Sequence, residues 1–209
     1  MRRSFLALST ALLVCLSLHS SASAQDALPV VEIETSKGVL VVELNSEKAP
    51  KTVKNFLQYV ESGFYDQTIF HRVIETFMIQ GGGRTVDLGK KETAAPVENE
   101  GGNGVGHKPY TIAMARTGDP DSATSQFFIN TGDNRESLDR SGSNAGYAVF
   151  GRVIKGLDVV DAIAKVETAT KPNPDPVPPQ LKSRFPNGLP PMADVPVEPV
   201  IIKSVKLRK

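Results

Sequence analysis

The chain of 209 residues has no tryptophan, one cysteine and three histidines, and these shortages remove whole classes of chemistry. Its cysteine, Cys15, sits in an N-terminal stretch with the marks of an export signal: basic Arg2 and Arg3, an apolar run from Phe5 to Leu18, and small residues at Ala22-Ser23-Ala24. Cleavage after residue 24 leaves no thiol, which excludes a cysteine nucleophile, a disulfide and a thiolate-bound zinc together. The apolar run of about 14 residues is shorter than the roughly 20 a membrane-spanning helix needs. No membrane contact is therefore expected of the mature chain, residues 25–209. Val14 precedes Cys15 where a lipidation site needs a small residue.

Excess charge of either sign is also missing, with 24 Lys plus Arg against 23 Asp plus Glu. Signal removal takes two arginines and no acid, moving the net charge from +1 to −1. A nucleic-acid partner is not expected. Common catalytic signatures are absent too. Gly81-Gly82-Gly83 does not lead into Gly-Lys-Ser/Thr, and Gly101-Gly102-Asn103-Gly104 lacks G-x-G-x-x-G spacing. There is no G-x-S-x-G elbow, His71 and His107 form no metal-binding pair, and Asp119 and Asp121 lack the ligand series of a calcium loop. No cofactor and no metal are expected.

What is present is a folding chain, 40% apolar and 22% charged, as a globular domain requires. Val30 to Glu34 and Val39 to Leu44 read as a hairpin turning at Gly38. Pro50 opens a helix, with Val53, Phe56, Leu57 and Val60 on one face and Gly63 at its end. Short apolar runs follow at Thr68–Ile74, Phe77–Gln80, Thr111–Ala115, Gln126–Asn130 and Tyr147–Ile154. A second helix is expected at Leu157–Val166 and a last strand at Val200–Leu207. Many short strands indicate a β-barrel or sandwich, and with two helices a capped barrel. Ten of the fifteen prolines lie between Pro172 and Pro199, so a long loop at about 169–199 is expected within this single domain.

Four blocks carry a stronger signal. Phe70-His71-Arg72-Val73-Ile74, Phe77-Met78-Ile79-Gln80-Gly81-Gly82-Gly83, Ile112-Ala113-Met114-Ala115-Arg116 and Ser125-Gln126-Phe127-Phe128-Ile129, in that order, resemble the cyclophilin family of peptidyl-prolyl cis-trans isomerases. Tyr147-Ala148-Val149-Phe150-Gly151 resembles its bacterial periplasmic members. The resemblance implies a mainly β fold, a closed eight-stranded antiparallel barrel capped by two α-helices, with a substrate groove on its outer face. It implies rotation about X-Pro bonds during folding of exported proteins, with unfolded or partly folded proline-containing polypeptides as partners. A monomer in the periplasm is expected.

Carried over position by position, the resemblance makes Arg72 and Gln80 catalytic, Gln80 orienting the arginine. Phe77, Met78, Phe128 and Leu138 would form the proline socket, and Ala115 and Arg116 would offer backbone hydrogen bonds, with Gln126 and Tyr147 beside them. His71 is expected to be structural. Ser137 stands before Leu138 where relatives carry an aromatic residue, and eukaryotic members use a tryptophan there for cyclosporin, so weak binding of that drug is expected. Two rival readings are a non-catalytic proline-peptide or chaperone module on the same scaffold, and a hollow ligand-binding barrel of lipocalin type.

Overall fold

The structure, a computed structural model, describes residues 28–208. The expected export signal, Cys15 included, lies outside the described residues. Eight strands form a closed antiparallel barrel: β1 (Val30–Thr35), β2 (Gly38–Leu44), β3 (Thr68–Ile74), β4 (Met78–Gly81), β5 (Thr111–Met114), β6 (Phe127–Asn130), β7 (Val149–Lys155) and β10 (Val200–Leu207), ordered β1-β10-β3-β4-β6-β5-β7-β2. Closure leaves the barrel no free edge. Helices α1 (Pro50–Glu61) and α3 (Leu157–Ala164) lay apolar faces against its interior, and one turn, α2 (Arg135–Leu138), follows β6.

The β1–β2 hairpin turns where expected, with Gly38 at φ +137° and Thr35 bonded to both Lys37 N and Gly38 O. A Cβ on Gly38 would stand 2.7 Å from Val159 of α3, so the turn and the helix packing both require glycine. Helix α1 has no side-chain cap of its own. Instead Glu100, from the loop before β5, accepts from Lys51 N at 3.1 Å and Thr52 N at 2.8 Å, satisfying two otherwise orphaned donors and pinning that loop.

Period-two alternation sorts the barrel residues. Ile33, Leu40, Phe70, Ile79, Ile112, Phe127, Ile129 and Phe150 point inward and join Phe56 of α1 and Tyr65 in one core. The Phe56 ring lies 5.1 Å from Tyr65, 5.2 Å from Phe150 and 5.8 Å from Phe127. These rings fill the interior, which excludes the hollow lipocalin-type barrel.

The proline-rich stretch differs from the expected loop. It contains β8 (Thr168–Lys171) and β9 (Met192–Pro196), paired antiparallel, with a 3-10 turn at Pro179–Leu181 between them. The ladder survives because the prolines cluster outside it, and Pro196, the one paired, sits at a strand end where its missing donor matters least. This arm folds back on the barrel. Val195 is buried against Ile69 and Leu88, and Arg84 forms a bidentate pair with Asp175 at 2.6 and 2.9 Å. Both of these charges are largely buried, and Arg84 holds the Asp175 carboxyl below its ordinary range.

Candidate active site

The same alternation that fills the core points Met78 and Gln80 of β4, Ala113 of β5 and Phe128 of β6 outward onto neighbouring strands. Strand β3 would break the pattern were it regular, because Phe70 and Arg72 would then face the same way. A β-bulge intervenes: Phe70 pairs with Gly81 and Arg72 with Gln80, leaving His71 as the extra residue. Phe70 and Val73 thus both join the core, while Arg72 turns outward.

A groove of about 140 Å³ results, lined by Arg72, Phe77, Met78, Gln80, Ala115, Arg116, Phe128, Leu138 and Tyr147. Its floor is apolar. Met78, Phe128 and Leu138 are buried there in a cluster separate from the barrel interior. The turn before β4 holds Phe77 at the rim, since its carbonyl accepts from Thr131 N at 3.0 Å and from the Asn134 amide at 2.6 Å. Leu138 arrives on α2, a single turn too short to show periodicity in the sequence.

Arg116 donates from Nε to Gly146 O at 3.1 Å, and its guanidinium stacks 4.3 Å above the Tyr147 ring. Tyr147 in turn meets Phe128 edge-on, at 5.8 Å between ring centres. Behind Phe128 lies His107, stacked at 5.9 Å. Burial lowers the pKa of His107 more than Asp139 raises it, so the neutral ring donates from Nδ1 to the Asp139 carboxylate at 2.6 Å. His71 is buried too, and burial, reinforced by the nearby Arg84 charge, lowers it to about 4. It stays neutral near neutral pH, as a structural residue would.

The structure thus brings together nine of the ten expected residues. The tenth, Gln126, sits one layer away, accepting from the Gln80 amide at 3.0 Å and lining an adjoining depression of about 190 Å³ with Gln80, Ala115 and Arg116. Three expected details change. Gln80 stands opposite Arg72 in the ladder, but its amide is directed to Gln126. The Ala115 N–H is already taken by the Gln126 carbonyl at 2.9 Å, because the β5–β6 ladder runs one residue past the strand end. The Arg116 side chain, expected to matter only through its backbone, is the clamp on Tyr147. One residue was not anticipated: Asp194 of the arm, whose carboxylate lies 3.5 Å from Arg72 Nε. Nothing in the local sequence signals a contact between segments so far apart.

Among the described residues no three His, Cys, Asp or Glu side chains gather as a metal site would require. What the arrangement offers is a charged fork above an apolar socket, suited to a ligand that combines a ring with a polar backbone.

Comparison with known proteins assigns this arrangement. Residues 30–182 match the family described as cyclophilin type peptidyl-prolyl cis-trans isomerase/CLD. A peptidyl-prolyl cis-trans isomerase of Streptomyces antibioticus is 50% identical over 182 residues, covering 86% of this chain and 99% of the relative. Peptidyl-prolyl cis-trans isomerase A of Dickeya dadantii is 44% identical over 194 residues, covering 93% of this chain and 92% of the relative. The fold matches a Cryptosporidium parvum cyclophilin crystallised in the presence of the dipeptide Ala-Pro, with a TM-score of 0.64, 24% identity, and coverage of 86% of this chain and 99% of that one. Barrel, groove and relatives agree, and the chain belongs to the cyclophilin family and is a peptidyl-prolyl cis-trans isomerase.

Proposed function

We propose that Arg72 is the catalytic donor of this isomerase and that its clients are exposed X-Pro bonds in proteins folding after export, in the periplasm. The barrier to be lowered is about 18–20 kcal/mol, because rotation breaks the resonance of the amide. No covalent bond is made or lost. In the twisted transition state the proline nitrogen regains its lone pair and accepts a hydrogen bond, which it cannot do when planar. A donor held there binds the transition state in preference to either ground state.

The observation that carries this reading is the position of Arg72, half exposed above a socket of Phe77, Met78, Phe128 and Leu138. The ring of a bound proline fills the socket and stays fixed. The guanidinium meets the carbonyl side of the proline while addressing its nitrogen, and the amino-terminal side of the peptide turns. Ala115 has only its carbonyl left for the incoming backbone. A charge-assisted hydrogen bond of about 1.5–3 kcal/mol corresponds to roughly 10- to 150-fold in rate. Desolvation of the amide adds to this, since the twisted form is less polar.

The test is the cis-to-trans rate of a short X-Pro peptide with and without the mature protein, beside Arg72→Ala. The variant is expected to lose at least tenfold in kcat/KM at an unchanged Tm. An Arg72→Ala protein as fast as the parent would sink the assignment. Export is tested by fractionating cells that express the full chain, with recovery of a form starting near residue 25 from the periplasm as the expected result.

A further inference from the structure

The donor in the groove does not stand alone. Asp194 Oδ2 lies 3.5 Å from Arg72 Nε, and both side chains remain partly exposed. The approach is at Nε, and among the described residues no hydrogen bond holds either terminal nitrogen, so both stay available to substrate. Asp194 also comes from a fixed point. The next residue, Val195, is 1% exposed against Ile69 and Leu88, and further along the arm Asp175 is clamped by Arg84. The backbone of Asp194 itself is left-handed, at φ +59°, a region that aspartate enters more readily than most residues with a side chain.

We propose that Asp194 is a positioning residue for isomerisation: the arm carries its carboxylate to Arg72 Nε, so that the guanidinium waits over the socket with its two terminal nitrogens facing the imide. This rests on the reading of Arg72 as the donor. The physical need is plain, since a long flexible side chain left half exposed must otherwise be ordered anew at each binding event. At 3.5 Å the pair is loose while the groove is open to water. A bound peptide that excludes water strengthens it without moving it.

The experiment measures kcat and KM on an X-Pro peptide for the mature protein and for Asp194→Asn, Asp194→Ala and Asp194→Glu. Each is repeated in an Arg72→Lys background, with Tm followed throughout. Exposed ion pairs contribute little, so the Asn and Ala variants are expected to lose about two- to fivefold in kcat/KM, mostly in kcat, with Tm unchanged and Glu restoring most of the rate. In the Arg72→Lys background the same substitutions should not slow the reaction, because lysine has a single charged nitrogen that Asp194 can only withhold from substrate. A second readout is the NMR resonance of Arg72 Nε–H, which should shift and exchange faster with water in Asp194→Asn. An Asp194→Asn protein as fast as the parent or faster, an equal loss in both backgrounds, or an unmoved Nε–H resonance would overturn the proposal while leaving Arg72 in place. A parent without activity, or Arg72→Ala as fast as the parent, would overturn both.

Discussion

Outside the barrel, Ile69 and Leu88 are sealed beneath Val195 of the arm, whereas Met78, Phe128 and Leu138 floor a groove that stays open. Both patches are apolar, both stand on outward-facing positions, and β3 borders each. Apolar surface left on a barrel's exterior must meet something. One patch is closed permanently by the chain's own arm, and the other is closed only when a proline arrives. An arginine serves each: Arg84 is spent on Asp175 with its charge largely buried, while Arg72 keeps its terminal nitrogens free and is half exposed. A buried, saturated guanidinium holds structure together, and an exposed, unsaturated one is available for chemistry.

Substitutions sharpen that contrast. Arg84→Ala leaves Asp175 unpaired in a mostly buried site, at a cost of about 3 kcal/mol or more. A Tm fall of roughly 6–12 °C is expected by calorimetry. Its kcat/KM should fall no further than removal of Asp194 brings it, and a collapse of activity at a preserved Tm would erase the distinction between the two arginines.

Next in size is a pH effect behind the covered patch. The folded pKa of His71, about 4, lies below the ordinary 6.5, so the unfolded chain takes up its proton first as pH falls. The stability that depends on this group is complete above about pH 6.5 and is lost progressively down to about pH 4, amounting to about 3 kcal/mol. Urea unfolding of the protein and of His71→Gln at pH 7 and pH 4 should show the smaller loss in the variant. Equal losses would mean that His71 is already solvated in the native state.

A smaller pair of changes separates the patches by readout. Val195→Ala should cost about 1.5 kcal/mol of stability and leave kcat/KM within a factor of about two, whereas Phe128→Ala should reduce kcat/KM by at least tenfold by emptying the proline socket. If Val195→Ala damages catalysis as severely as Phe128→Ala, the arm belongs to the groove. The smallest response expected is to cyclosporin. Ser137 is exposed on α2 and offers no ring beside Leu138, so titration should give weak inhibition only, and tight binding would contradict the placement of α2 at the groove wall.

The sequence was informative where alternation and turn chemistry are local. Phe127-Phe128-Ile129 announces a strand, and the Gly38 turn and the Pro50 helix start are equally local, but which face Phe128 takes came only from the family resemblance. What escaped reading depends on distant segments meeting. The β8–β9 ladder was hidden because prolines on both sides of it argue against any strand, although the residues actually paired are nearly free of them. Arg84 with Asp175, and Arg72 with Asp194, join partners that share no local pattern. Gln80 was expected to orient Arg72 because the family resemblance implies it; the two do pair across the ladder, yet strand pairing fixes only the backbone, and the amide is directed to Gln126.

The bulge at His71 has a consequence for how this fold tolerates change. A two-residue rhythm run without interruption from Thr68 would drive Arg72 among the rings of Phe70 and Phe127, where an ion has no counterpart. One surplus residue puts the strand half a beat out of step and delivers the guanidinium to water. Deleting that residue would leave Phe70 and Arg72 facing Gly81 and Gln80 in plain register, whereas keeping it while ironing out the bulge, so that His71 met Gln80, would turn the enzyme's working end inside out.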